Sequence, residues 1–379
     1  MHFEFTDLNL TLREPFVIAR DVQTRHRHVL VRVLGDDIEG LGEAAPRAFY
    51  GETTETVRAC LHLLAQALQD TDPFAVEEAW ARLERRLGGN HAAKAAVDEA
   101  LHDWLGRGLG VPLWRLLGGN PAAAPRTSYT IGIDTPEGMA RKALAARAYP
   151  ILKVKVGTED DVARMRAVRS ARPEAVLRAD ANTAWSPRQA VTSLERLAEF
   201  DLELVEQPVA AYDLAGLRFV RERSPVPIFA DESCAVLSDV PRVAECVDGI
   251  VIKLAKCGGI RPALAMIHAA RAHGLAVMLG CMTESSLGIT AAAHLAPLAD
   301  YADLDGHLLL ADDPFRGVEV VDGRLVLPTG PGLGVERMSE SANQQITNQQ
   351  IANRQITNQQ ITNQQITNQQ ITNQQITNR

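Results

Sequence analysis

The stretch Ile151-Leu-Lys-Val-Lys-Val-Gly157 alternates lysine with aliphatic residues and ends at a glycine. Alternate residues of a β-strand point to the same face, so Lys153 and Lys155 share one face of a predicted strand. Similar short apolar runs recur about every 25 residues, with helical stretches between them. The predicted strands are residues 127–133, 151–156, 175–178, 202–205, 227–229, 249–254, 276–279 and 302–304. Eight strand–helix units predict an α/β protein with a modified (β/α)8-type, TIM-like barrel.

An open, doubly wound sheet is the competing architecture. A dinucleotide-binding sheet of that type carries a glycine-rich turn after its first strand, and none follows residues 127–133. The closed barrel is therefore the favoured interpretation.

The residues before the barrel follow a different pattern. Residues 2–46 predict an antiparallel meander of three strands, and helical periodicity follows near residues 54–69, 73–87 and 91–105. We therefore predict an N-terminal α+β capping domain over residues 1–125, completed by about 306–337, and a barrel domain over 126–305. Residues 338–379 are mostly a five-residue repeat rich in Gln and Asn, which predicts a disordered low-complexity tail.

Composition excludes several classes of partner. With 39 basic and 47 acidic side chains the formal charge is -8, and no basic stripe offers a surface to nucleic acid. No signal peptide or run of 18 apolar residues is present, so we expect a cytoplasmic protein without a membrane partner. The five cysteines form no CxxC pair, which favours reduced thiols over disulfides or a zinc site. A homo-oligomer is left open.

Three predicted strands end in a carboxylate. Asp180, Glu206 and Asp231 follow one another at spacings of 26 and 25 residues, and the carboxyl ends of barrel strands meet at one end of the barrel. Confined carboxylates repel one another, and a divalent cation relieves that repulsion. Ligation by oxygen alone predicts Mg²⁺, one ion per subunit. The alternative is that each acid only caps the helix that follows it.

Further charges end the sixth and eighth strands. Lys253 lies across the predicted barrel from Lys155, so a basic residue flanks the carboxylates on each side. Asp303 and Asp305 alternate on the eighth strand and share a face. Lys256 falls beyond the sixth strand and is expected to face solvent.

These motifs, in this order, resemble the enolase superfamily, its muconate-lactonizing-enzyme subgroup and, within that subgroup, the dipeptide epimerases. The resemblance covers residues 1 to about 337. It implies catalytic roles for Lys153, Lys155 and Lys253, and metal ligation by Asp180, Glu206 and Asp231. It further implies that Asp303 and Asp305 hold the α-ammonium of a dipeptide. The segment Cys281–Ser285 resembles the substrate-facing loop after the seventh strand, with Met282 and Glu284 as substrate-binding candidates.

The chemistry implied is removal of a proton α to a carboxylate, which creates an enediolate that a metal and cationic neighbours stabilise. One base on each face permits epimerisation, and a neutral lysine requires a pKa near roughly 7 to 8. Other members of the subgroup remain alternatives: o-succinylbenzoate synthase, N-acylamino acid racemase and muconate cycloisomerase. Outside enzymes, the alternatives are a non-catalytic small-molecule-binding barrel and an assembly protein driven by the repeat tail.

Specificity is expected to lie in the capping domain, whose first loop and the loop near residue 50 close the barrel mouth. Family members acting on Ala-Glu carry an Arg six positions after the Pro of a Pro-Phe pair, and here Asp21 occupies that position, next to Arg20. With Glu52, this reversal of charge predicts a preference for cationic dipeptide side chains. Thr130 is a further substrate-binding candidate, whereas His26 and His28 are expected on an exposed strand.

Overall fold

Three long antiparallel strands open the chain of this computed structural model, which describes residues 1–338. They are β1 (His2–Ile18), β2 (Asp21–Gly35) and β3 (Ile38–Ala44), paired in that order. Asp36 and Asp37 join β2 to β3 with φ of 51° and 58°, the positive values that a two-residue I′ turn requires. The predicted meander is confirmed.

Helices cover one face of this sheet. They are α1 (Thr54–Ala67), α2 (Val76–Arg86), α3 (His91–Leu109) and the short α4 (Leu113–Leu116). The first three overlap the predicted helical segments. Gly40 and Gly42 of β3 allow α3 to approach, because a Cβ atom would lie 2.0 Å from Ala100 O at Gly40 and 1.9 Å from Ala96 O at Gly42.

Eight parallel strands form the second sheet, and strands that are neighbours in sequence are neighbours in space. They are β4 (Tyr129–Ile131), β5 (Ile151–Lys155), β6 (Val176–Asp180), β7 (Leu202–Glu206), β8 (Ile228–Ala230), β9 (Gly249–Ile252), β10 (Ala276–Gly280) and β11 (Tyr301–Asp303). Each overlaps one predicted strand. A parallel bridge between Thr127 and Ala302 brings the first and last strands together, which makes the sheet a nearly closed barrel. A doubly wound sheet is excluded because its strand order would reverse.

Helices connect the barrel strands on the outside. They are α5 (Pro136–Ala145), α6 (Asp161–Ala171), α7 (Pro187–Leu197), α8 (Leu214–Arg221), α9 (Val240–Val243), α10 (Leu254–Cys257), α11 (Ile260–Ala272) and α12 (Ser286–Ala293). Ser186 and Gln189 form a capping box that starts α7, and Thr135 caps α5 through Gly138 N. Because the strands are parallel, their charged carboxyl ends gather at one mouth of the barrel.

After β11 the chain returns to the N-terminal capping residues. Its strands are β12 (Phe315–Arg316), β13 (Glu319–Val321), β14 (Arg324–Val326) and β15 (Glu336–Arg337). Ala311 N donates to Thr11 O at 2.8 Å, and Leu333 N donates to Asp103 Oδ1 at 2.7 Å. Residues 1–337 thus form one compact unit. We keep "capping module" as a name for residues 1–125.

Two sequence predictions concern the C-terminal repeat tail and membrane insertion. The predicted disorder of the repeat tail concerns residues 339–379, which lie outside the described part of the chain. Within residues 1–338, the helices are all too short or too polar to cross a membrane.

Candidate active site

The charged strand ends lie side by side in the barrel. Strand register pairs Lys155 with Asp180, and Asp180 with Glu206. Both of these carboxylates are fully buried, and Asp231 is 1% exposed. The structure thus brings the three predicted metal ligands together at one end of the barrel.

Two lysines flank these carboxylates. Lys155 Nζ donates to Asp180 Oδ2 at 2.6 Å, and Lys253 Nζ donates to Asp231 Oδ2 at 2.7 Å. Lys153 Nζ lies between them and donates to Glu206 Oε2 at 3.4 Å. The flanking arrangement that the strand order predicts is present in the structure.

Glu206 is the carboxylate that the lysines satisfy least. Its buried Oε1 has no hydrogen-bond partner within residues 1–338. Burial and then the charge of Asp180 raise the pKa of Glu206 to about 8. An unpartnered carboxylate oxygen between Asp180 and Asp231 suits a hard divalent cation such as Mg²⁺. The donor chemistry of this trio therefore fits the predicted metal.

The three carboxylates are not oriented together toward one metal position. Among the residues described, no three His, Cys, Asp or Glu side chains are grouped so that they could hold a metal ion. The reason is visible in the ion pairs, since Asp180 and Asp231 each turn Oδ2 toward a lysine. A cation on this trio would compete with Lys155 and Lys253 for those oxygens.

The protein groups alone do not lower the pKa of Lys253, and the predicted lowering also requires the charge of the metal. Burial lowers the pKa of Lys253, but the charges of Asp231 and Glu206 outweigh burial and raise it overall. The same balance raises the pKa of Lys153, where Asp303 is the strongest charge. A neutral lysine therefore requires that the carboxylate charge first be neutralised.

Lys256 does not face solvent, contrary to the sequence prediction. Its side chain is fully buried, and Nζ donates to Asp231 Oδ1 at 2.5 Å and to Asp231 O at 2.6 Å. It also donates to the carbonyls of Val251 and Cys234. The short helix α10 follows β9 directly and turns this side chain back beneath Asp231. Both carboxylate oxygens of Asp231 are thus held by lysines.

The acids of the eighth strand differ in their partners. Asp303 pairs with Lys153 and accepts from Ser128 Oγ at 2.5 Å. Asp305 accepts from Thr130 N at 2.6 Å, and within residues 1–338 no cationic side chain lies within 4.0 Å of it. Burial and then the charge of Asp303 raise the pKa of Asp305 to about 6. Asp305 is therefore the acid that remains available to a cation from outside.

One cavity opens over these residues. Its walls include Thr130, Lys155, Lys253 and Asp305, and Met282 lines it from the loop after β10. Glu284 lies outside this lining and accepts from Met282 N at 2.7 Å. Burial and then the charge of Glu43 raise the pKa of Glu284 to about 8. Glu284 therefore stabilises the loop after β10 through this hydrogen bond and does not line the cavity.

The capping module covers the cavity with two segments, as predicted. The hairpin tip between β1 and β2 supplies Phe16, Arg20 and Asp21, and the 3-10 turn Ala48–Tyr50 adds a second wall. Asp21 is exposed at the tip, where it accepts from Val22 N at 2.8 Å. Arg20 donates to Glu232 Oε1 at 2.8 Å and is thereby neutralised.

Glu52 lies outside the lining of the cavity. Its carboxylate accepts from His91 N at 2.5 Å and from Ala92 N at 3.0 Å, so it caps α3. His26 and His28 are buried rather than exposed. The strand β2 is covered on both faces, with Val29 in the core under the helices and Leu30 in the barrel core.

Among the cavity residues that the sequence reasoning missed are Asn182, Glu232 and Arg47. Asn182 and Glu232 each follow a predicted ligand by one or two positions, and Arg47 follows β3. For Asn182 and Glu232 a signal existed, because the residues just after a barrel strand end also face its mouth. No comparable pattern marks Arg47.

The fold and this charge constellation define a class of protein. The model of the mandelate racemase/muconate lactonizing enzyme N-terminal domain matches residues 3–118, and that of the enolase C-terminal domain-like family matches residues 138–341. The chain belongs to the mandelate racemase/muconate lactonizing enzyme family of the enolase superfamily, and it is an isomerase.

Relatives with similar chains are named epimerases. An L-Ala-D/L-Glu epimerase from Bacteroides thetaiotaomicron is 39% identical over 340 residues, which cover 89% of this chain and 88% of that protein. An L-Ala-D/L-amino acid epimerase from a Maribacter species is 38% identical over 336 residues, covering 88% and 99%. A dipeptide epimerase from Enterococcus faecalis, solved with Mg and L-Leu-L-Tyr, is 36% identical with a TM-score of 0.84, covering 88% of this chain and 99% of that one. These relatives differ in the side chains they are named for, although their identities to this chain are similar.

Proposed function

We propose that this enzyme is a dipeptide epimerase that moves a proton at the α-carbon of the C-terminal residue. The observation that carries the proposal is the pair Lys155 and Lys253, which line one cavity from opposite sides of the buried carboxylates. One lysine can remove the α-proton from one face while the other returns a proton to the opposite face. The substrate then leaves with inverted configuration.

The carboxylates Asp180, Glu206 and Asp231 would hold one Mg²⁺ per subunit. When bound, the ion would stabilise the negative charge that develops on the substrate carboxylate as the α-proton leaves. Lys153 would stabilise the same developing negative charge, because its ammonium lies beside Glu206 and Asp303 and adds a fixed positive charge.

Asp305 supports a dipeptide over other substrates of the subgroup. The ammonium of Lys153 already neutralises Asp303, whereas Asp305 is hydrogen-bonded to Thr130 and, within residues 1–338, has no cationic side chain within 4.0 Å. A substrate α-ammonium would supply the missing partner for Asp305. The substrates of o-succinylbenzoate synthase, N-acylamino acid racemase and muconate cycloisomerase would leave this carboxylate unpaired, and a non-catalytic barrel would have no need of two flanking lysines.

Within the dipeptides, we propose a cationic side chain on the C-terminal residue. Asp21 supports this finer proposal, since it lines the cavity mouth and no basic side chain within residues 1–338 lies within 4.0 Å of it. Glu52 no longer supports it, because that carboxylate caps α3. The comparison of Ala-Lys and Ala-Arg with Ala-Glu tests the preference, and faster epimerisation of Ala-Glu would refute it. A cytoplasmic location and a homo-oligomer remain predictions.

Deuterium incorporation tests the reaction itself. In D₂O, the wild-type enzyme should exchange the α-proton of both epimers of an Ala-Xaa substrate, as read by mass spectrometry. Lys155→Ala and Lys253→Ala should each stop epimerisation, and each should retain exchange of only the epimer that faces the remaining lysine. Lys142→Ala, on the outer helix α5, is the matched control and should exchange both. Epimerisation by either active-site variant would rule out the two-base assignment.

A further inference from the structure

Arg47 is a cavity-lining cation that the proposed reaction does not use. It follows β3 and is half-buried in the wall of the cavity. Its guanidinium donates to Pro46 O at 3.2 Å and to Thr283 O at 3.4 Å, and it contacts His28 Nε2 at 3.2 Å. Within residues 1–338, no carboxylate oxygen lies within 4.0 Å of it. Arg20, in the same cavity, differs because Glu232 neutralises it.

A chain of buried hydrogen bonds through His28 to Glu43 orients Arg47. An arginine can only donate, so His28 Nε2 must be the acceptor and Nδ1 must carry the proton. Nδ1 then donates to Glu43 Oε1 at 2.7 Å. Glu43 also accepts from Ser285 N and from Gly288 N at the start of α12. The guanidinium is therefore fixed in direction. The charges of Glu284, Glu43 and Asp21 act on it from a distance, but within residues 1–338 no carboxylate contacts it directly.

The position of Arg47 relates it to one end of the proposed substrate. Thr283 belongs to the loop after β10, and β10 pairs with β11, the strand that leads into Asp305. Gly306 packs so tightly on this loop that a Cβ atom there would lie 2.3 Å from Met282 O. Arg47 therefore lies on the Asp305 side of the cavity, where the proposed function puts the ammonium of the N-terminal residue.

We propose that Arg47 is a specificity-determining residue that binds a side-chain carboxylate on the N-terminal residue of the dipeptide. The inference rests on the proposed function. Because no carboxylate within residues 1–338 contacts this guanidinium directly, its planar fork can take a carboxylate of the substrate. Asp21, at the hairpin tip, would bind the cationic side chain of the C-terminal residue, and the preferred substrate class is then an acidic residue followed by a basic one.

Isosteric pairs of dipeptides test this assignment. The measurement is kcat/KM for deuterium exchange of L-Glu-L-Lys and L-Gln-L-Lys, with affinities from calorimetry in parallel. The wild type should favour the glutamyl substrate by roughly 10- to 100-fold, the range of a hydrogen bond to a charged group. Arg47→Gln should bring that ratio close to one, and Arg47→Lys should restore part of it. Arg27→Gln, at an exposed pair with Glu55, should keep the wild-type ratio.

Each other outcome has a distinct meaning. A wild-type ratio near one, or an equal loss for both substrates in Arg47→Gln, would overturn the assignment and leave a structural role. Discrimination between Ala-Glu and Ala-Gln that depends on Arg47 would overturn the placement at the N-terminal residue. If no dipeptide exchanges but calorimetry still shows the Arg47-dependent preference, the proposed reaction fails and the assignment of Arg47 stands.

Discussion

Lys256→Met removes a buried cation from behind Asp231 while nearly preserving side-chain volume. The lysine has three N–H donors and four acceptors within 3.2 Å: Asp231 Oδ1 at 2.5 Å, Asp231 O at 2.6 Å, Val251 O at 3.0 Å and Cys234 O at 3.2 Å. Methionine satisfies none of these acceptors and leaves part of the charge of Asp231 buried without a partner.

Two magnitudes follow from these contacts. Breaking a buried ion pair by removing one partner costs about 3–5 kcal/mol of unfolding free energy. Loss of a residue that orients a metal ligand weakens metal affinity by about 10- to 100-fold. Because a folded domain is stable by only about 5–15 kcal/mol, the variant should fold but with a clearly reduced stability.

The assays are urea denaturation followed by circular dichroism, and calorimetric titration of the folded enzyme with Mg²⁺. Lys142→Met is the matched control, because Lys142 pairs with Asp134 on an outer helix at 2.9 Å and both side chains are partly exposed. The control should lose at most about 1 kcal/mol and bind Mg²⁺ normally. Unchanged Mg²⁺ affinity in folded Lys256→Met would refute the view that Lys256 orients Asp231.

Three further predictions address other parts of the molecule. Since the pKa of Asp305 is raised to about 6, kcat/KM should fall as the pH drops through about 6 and Asp305 takes up a proton. Asp305→Asn should lower kcat/KM and abolish this decrease at acidic pH. Gly42→Ala would place Cβ 1.9 Å from Ala96 O and should cost about 1–3 kcal/mol in chemical denaturation, whereas Gly88→Ala, with open space around it, should not destabilise. Truncation after Arg337 should leave steady-state turnover unchanged, because every candidate site residue precedes Gly306; a slower truncated enzyme would give the repeat tail a role in activity.

The sequence predicted the strand ends well because the signal there is local. A barrel strand alternates inward and outward residues, so the spacing from Asp180 to Asp231 and the Lys153 and Lys155 pair reveal which charges meet at the mouth. All eight strands of the barrel overlap their predicted segments. The meander of the capping module was equally clear from its turn at Asp36 and Asp37.

The errors share a different physical origin. Glu52 caps a helix that begins 39 residues later, and Lys256 turns back beneath Asp231 because a helix follows β9 without a loop. His28 lies on a strand that is covered on both faces, which alternation alone cannot reveal. In each case a contact distant in sequence decides where the side chain points. Residue type and local pattern do not contain that information.

The pKa shifts at the barrel mouth indicate which carboxylates would bind the two proposed ligands. The lysines hold the pKa values of Asp180, Asp231 and Asp303 below their usual range despite burial, so these three carboxylates already have their cations. Burial and neighbouring acids raise the pKa of Glu206 to about 8 and that of Asp305 to about 6, so these two still need one. The first lies among the candidate metal ligands, and the second lies beside Thr130, where a substrate ammonium would fit. A divalent cation and an α-ammonium are thus the two positive charges that would complete this site.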